Sequence, residues 1–243
     1  MINFFRKTRK KLADDNRPLK YMRYAIGEIV LVVIGILIAL SINNWNEWRK
    51  DRIIEKSVLI ELRDNLDRNI AIIDNATTEI IRVNQICTTI IEIIEEKKSY
   101  PDTLINYFNL LDRSGSYLFK VNRNGYESLK NIGFEILSSK ELKNEVLSLF
   151  EISYTTYEQS RNLITSKWAA NPMWWQDYFF IRPTKSGLIP LDYNSLKEDK
   201  NFMTIVRDFE RGRHFILEEM KTCKIESLKV LKSIEDELTK QKE

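Results

Sequence analysis

Two hydrophobic rhythms succeed one another along the chain. From Tyr24 to Ile42 almost every position is apolar, and Glu28 is the only charge. Nineteen such residues make a helix of ~28 Å, about the thickness of a bilayer core. A helix apolar on all sides is either a membrane span or wholly buried in protein. The flanks favour the span. Basic residues precede it, Tyr21 and Tyr24 stand at its start, and Trp45 and Trp48 follow it, the arrangement of an interfacial aromatic belt. Ala39-Leu40-Ser41 loosely resembles a signal cleavage site, but the apolar run is long for a signal peptide.

The second rhythm covers residues 53–98, which contain no Gly or Pro. Leu59, Leu66, Ile73, Ile80, Cys87 and Ile94 recur every seven residues. Leu62, Asn69, Ala76, Val83 and Ile90 fall between them. This is a 3.5-residue seam, broken in character only by Asn69, and it predicts a helix ~65–70 Å long. Two structures satisfy such a seam: a coiled coil between chains, or the spine of an intramolecular antiparallel bundle, which the sequence favours. From Ile80 onward a second stripe of Ile81, Ile86, Ile91 and Ile93 predicts burial on more than one side.

Ser99-Tyr100-Pro101 closes that helix, and Pro101 suits the first turn of another over about 101–112. "DRSGS" (112–116) breaks the chain, and "YLFKVN" (117–122) reads as an extended or helical lead-in. A short helix follows over about 125–132, closed by Gly133. Ser138-Ser139-Lys140-Glu141 predicts a capping box opening a helix over about 139–170, which Asn171-Pro172 interrupts. The final helix runs from about 201 to 240, with Phe202, Phe209, Ile216, Cys223 and Val230 repeating by seven.

Between these last two helices lies "WAANPMWWQDYFFIRPTKSGLIPLDYN" (168–194). Trp168, Trp174, Trp175, Tyr178, Phe179 and Phe180 crowd into thirteen residues, and three of the five prolines split or follow them. The segment reads as a crossover whose rings plug the bundle end. It also reads as a candidate partner surface, since Trp and Tyr dominate binding hot spots. A dip into the bilayer interface is a third reading.

Charge sets the orientation. Residues 1–23 carry eight Lys/Arg against two acids, a net +6 that leaves −3 for the rest of a chain totalling +3. The basic balance therefore belongs to a tail and not to a nucleic-acid surface. By the positive-inside rule, 1–23 is a cytoplasmic tail, 24–42 the transmembrane helix, and 43–243 a periplasmic domain anchored in the inner membrane.

At 100° per residue, Glu28 shares a helix face with Gly35 and Ala39, a small-xxx-small pair that admits a second helix. Glu28 either reaches back to the cytoplasmic interface or faces another transmembrane helix and sets the packing register. With no second acid or His along the span, a proton relay is the weakest alternative.

The stretch "FFRKTRKKL…NRPLKYMRYAIGEIVLVVIGILIALSINNWNEWRK" resembles the N-terminal signature of an uncharacterised family of Bacteroidota single-pass membrane proteins, a domain of unknown function. "NGYESLKNIGFEIL" (124–137) resembles a weaker internal motif of that family. The resemblance implies a Gram-negative inner-membrane protein with a periplasmic domain, and makes Glu28 part of the signature. It implies no activity.

The residues that chemistry would need are scarce. His214 is the one histidine, and no Cys or His stands near it at ligand spacing. Seven scattered glycines form no phosphate-binding loop. Glu92, Glu95, Glu96, Glu218 and Glu219 read as solvated helix faces. We expect no catalytic residue, no metal site and no cofactor. Cys87 and Cys223 are offset by eleven residues, ~16 Å, if the two long helices end level. That exceeds the ~7 Å reach of a disulfide, so two buried free thiols are expected.

The expected fold is all-α: one N-terminal transmembrane helix, then an elongated antiparallel helical bundle. The expected function is a non-enzymatic membrane-anchored interaction module, a scaffold, adaptor or subunit of an envelope complex. The alternative is a sensor-like ligand-binding domain relaying to a separate protein. Expected partners are the bilayer and another transmembrane helix.

Overall fold

The computed structural model describes residues 18–101, 103–111, 118–170, 174–181 and 188–241. Of the basic tail only 18–23 falls within this range. "DRSGS", Pro172 and Pro183 lie outside it. The chain divides into two units, Met1–Glu55 and Lys56–Glu243. The described residues are almost entirely helical.

Helix α1 spans Pro18–Glu95. No break separates the apolar stretch from the seam, because nothing between Ile42 and Ile53 disfavours a helix. It ends three residues earlier than the pattern predicts. Lys98 N–H bonds Ile93 O (3.1 Å), Lys97 N–H bonds Ile94 O (3.0 Å), and Lys97 adopts φ 51°. This is a Schellman stop with a lysine in the left-handed position usually given to glycine.

In the first unit, every large apolar residue from Ile26 to Ile42 is exposed, between 46 and 69%. A Cβ at Gly35 would meet nothing within 4 Å. Ser41 Oγ donates to Leu37 O (2.8 Å) and Asn43 Nδ2 to Glu47 Oε1 (3.1 Å), so the polar groups after the span are met locally.

The second unit is a packed helical bundle. Helices α2 (Leu104–Leu111), α3 (Asn124–Ile132) and α4 (Lys140–Leu147) follow α1. A π-helical segment, Ser148–Ser153, joins α4 to α5 (Tyr154–Ala169). The predicted capping box is not formed. Ser139 is the cap, accepting from Leu142 N–H at 3.1 Å, which puts Leu142 where the box needs an acid.

A two-stranded antiparallel hairpin then appears where no strand was predicted. Strand β1 (Phe179–Ile181) pairs with β2 (Leu188–Pro190), Phe180 opposite Ile189. Helices α6 (Tyr193–Glu198) and α7 (Lys200–Lys240) complete the chain, each capped by an aspartate, Asp192 and Asp199. All seam residues of α1 are buried except Ala76, which is half-buried, and the five heptad residues of α7 are buried too. The seam is thus covered within one chain. Of the second stripe, Ile93 is buried, Ile86 and Ile91 are half-buried and Ile81 is exposed.

Candidate functional site

The aromatic segment joins a cluster that also holds Ile90, Phe108, Phe202 and Phe209. The ring of Phe179 lies 4.8 Å from Phe108 and that of Tyr178 5.3 Å from Phe202, both tilted, and Trp174 meets Phe209 edge-on at 5.4 Å. Trp174 and Phe179 are buried; Trp168, Trp175 and Tyr178 are half-buried against the same cluster. As a partner surface, the six-ring set reduces to Phe180, 43% exposed on the outer face of the hairpin. The hairpin turns alternate side chains in and out, which is why Phe179 and Phe180 part company.

Asn69, the odd member of the seam, is fully buried and pairs with a backbone. Its Nδ2 donates to Asn122 O (3.0 Å), and its Oδ1 accepts from Asn122 N–H (2.9 Å). Tyr154 OH lies 3.4 Å from the same Nδ2 and 2.7 Å from Ser227 Oγ, which donates to Cys223 O. One amide thus fixes the irregular residues 118–123, α5 and α7 against α1. Burial pushes the Tyr154 hydroxyl up to about 12.

The motif at 124–137 packs on that same region. A Cβ on Gly125 would stand 3.0 Å from Leu62 Cα and 3.2 Å from Glu61 O, so only glycine allows α3 this close to α1. Tyr126 stacks on Phe150 at 4.5 Å, and its hydroxyl donates to Glu151. Arg123 Nη1 donates to Phe150 O (2.9 Å), inside the π segment, and Nη2 pairs with Glu158 (2.8 Å). The π geometry frees carbonyl groups from the ordinary ladder, and Arg123 takes one of them.

The two thiols are free and buried. Cys87 Sγ sits 3.0 Å from Arg213 Nη1. Cys223 lies ten residues along α7 from that contact, close to the expected offset. Burial raises both thiols, Cys223 to about 12, while Arg213 opposes the rise at Cys87.

A concave feature with convergent polar groups is a groove of about 690 Å³ between α1 and α7, within the second unit. Its walls carry Glu92, Glu95 and Glu210 on one side of the charge balance and Arg207 and Arg211 on the other; Ile81, Ile91 and Leu217 supply the apolar lining. Cross-helix rungs hold the walls together. Arg207 pairs with Glu95, Thr88 Oγ1 donates to Glu210 (2.8 Å), and Lys224 pairs with Asp74 (2.6 Å). The last two rungs share one antiparallel stagger, which sets Asn84 level with His214 and Ile81 level with Leu217. His214 is exposed. Sequence reasoning passed over this groove, because its residues look like solvated faces until the stagger of α1 and α7 is known. Among the described residues, no group of three or more His, Cys, Asp or Glu is placed to hold a metal ion.

Glu28 is half-buried on a helix stretch otherwise exposed apart from Ala25. That stretch belongs to the one described helix long and apolar enough to cross a membrane, with mean hydropathy 2.8 in its most apolar window and 0% of that window buried. A core helix of a soluble protein would be covered; this one is not.

An all-α chain with one candidate membrane span and a packed helical domain is the class these features define. The chain belongs to DUF6090, a family of unknown function, whose model matches residues 28–157. The match begins at Glu28 and takes in most of the span, the seam, the Gly125 motif and the π segment. No curated protein and no solved structure matches the chain.

Proposed function

We propose that the chain is a non-enzymatic, membrane-anchored interaction module, a scaffold, adaptor or subunit of an envelope complex. The observation that carries this is the contrast between a filled bundle and an uncovered apolar helix. The large apolar side chains from Ile26 to Ile42 are exposed all round, whereas the seam that follows is buried. Lipid is the occupant that fits a helix apolar on every side. Eight Lys/Arg before the span support a cytoplasmic N-terminus and a periplasmic domain at the inner membrane.

A C-terminal alkaline phosphatase fusion tests the orientation. Activity is expected; a silent phosphatase with an active cytoplasmic reporter would reverse it. The face of Glu28, Gly35 and Ala39 is the one we assign to a second transmembrane helix, because the open space at Gly35 permits close approach. Cysteines at Gly35 and Ala39 should crosslink in native membranes, and those at Val32 and Val33 should not. Equal crosslinking at all four would remove the assignment. A sensor-like role is the second reading, favoured by the α1–α7 groove.

A further inference from the structure

We propose that the groove between α1 and α7 binds a small zwitterion, with its ammonium at Asn84 and its carboxylate at Arg211, as the ends of a short peptide would provide. The inference deepens the ligand-binding reading and is independent of membrane orientation.

The rungs above and below the Asn84–His214 level are closed by Thr88–Glu210 and Lys224–Asp74. Asn84 Oδ1 is buried and has no hydrogen-bond partner among the described residues. A buried acceptor without a donor is disfavoured, so turning the Asn84 amide outward to meet an N–H or O–H in the groove is favoured. A water would meet that oxygen alone and leave the rest of the groove unexplained. Glu92 and Glu210 line the same groove and favour a cationic donor. A simple cation would also meet Arg207 and Arg211, and a simple anion would meet three carboxylates.

A ligand carrying both charges matches both sets. Arg207 is already engaged by Glu95. Arg211 is 81% exposed and its carboxylate neighbour Asp208 is 4.0 Å away, so its guanidinium is available for a bidentate carboxylate. Ile81 and Leu217, level with one another, would receive an apolar side chain.

The test uses the purified full-length chain in mild detergent, titrated calorimetrically with L-alanyl-L-leucine. Saturable binding at about 1 mM or tighter is expected, with the N-acetyl and C-terminal amide forms each about ten-fold weaker. Asn84→Leu should abolish binding. Arg211→Gln should weaken the free dipeptide about ten-fold and leave the amide unchanged. Unchanged melting temperatures establish that both variants fold. No saturation by about 10 mM would overturn the proposal. So would equal affinity for the blocked peptides, or undiminished binding by Asn84→Leu. Failure of this titration leaves the phosphatase and crosslinking results untouched, so the two readings fall separately.

Discussion

Asn69→Leu separates two physical accounts of the same seam. Judged on heptad periodicity alone, Asn69 is a defect, and leucine would complete the apolar stripe and add stability. The bonding geometry reverses the sign. Asn69 donates to Asn122 O at 3.0 Å and accepts from Asn122 N–H at 2.9 Å, so its amide stands in for a strand partner. Leucine keeps the volume and removes both bonds. Each backbone group left unmet costs about 1–3 kcal/mol, at the low end here because Asn122 is half-buried. Burying the leucine side chain returns about 1–2 kcal/mol of this.

The expected net loss is about 1 kcal/mol, or roughly 2–4 °C in melting temperature for a domain of this size. Asn69→Ala should cost more, since it adds a cavity beside Tyr154. Thermal unfolding of the full-length protein in detergent, followed by far-UV circular dichroism, measures both. A melting temperature for Asn69→Leu equal to or above that of the wild type would refute the reasoning. Asn69→Asp keeps the acceptor but buries a carboxylate, so its stability should recover as pH falls.

Gly125→Ala should destabilise by about 1–3 kcal/mol, because its Cβ would press on the Leu62 backbone, whereas Gly212→Ala meets only side chains of Trp168 and Ile164 and should be neutral or better; paired thermal melts decide. Both thiols should resist a maleimide in the native state and both react in denaturant without reductant; protection relieved only by reductant would reveal a disulfide. Alkaline stability follows from the raised groups. Cys223 (ordinary value 9.0) and Tyr154 (ordinary value 10.0) are both raised to about 12, so the folded state holds protons that the unfolded chain releases. Stability should be undiminished below pH 9 and fall as pH rises towards 12, and Cys223→Ala should flatten part of that slope.

What was legible in the sequence was whatever one helix could express by itself. The seams of α1 and α7 follow from sevenfold repeats, and Gly133 marks the end of α3 because φ 106° suits glycine. Features requiring two elements were not legible. Lys97 in a left-handed stop carries no local signal, since glycine is the usual marker. The π segment depends on Arg123, twenty-seven residues from the carbonyl it binds. The β1–β2 hairpin is short, flanked by aromatic residues that read equally as a plug, and fixed on α2 by contacts distant in sequence, among them Leu188 N–H to Asn109 Oδ1 and Phe179 on Phe108. The groove at Asn84 needed the stagger of α1 on α7, which no local pattern encodes.

The same dependence on pairing bears on the proposal that one helix serves two solvents. Within α1, hydrogen bonding of the backbone is satisfied at every step, so the side chains alone decide what surrounds each part. From Tyr24 to Ile42 they are apolar on nearly all sides, and Glu28, Gly35 and Ala39 mark one face. Beyond Glu55 apolar residues occupy one stripe, and the axis is fixed by what that stripe must bury. Between the two, Trp45 and Trp48 are exposed, and Arg52 pairs with Glu55 three residues on. Exposed amphipathic rings suit the membrane–water boundary proposed above, whereas Glu55 is fully buried. The change of rhythm therefore carries the positional information. Moving it by inserting leucines between Ser41 and Trp45 should displace the boundary without unfolding the bundle, because every seam residue lies in the second unit.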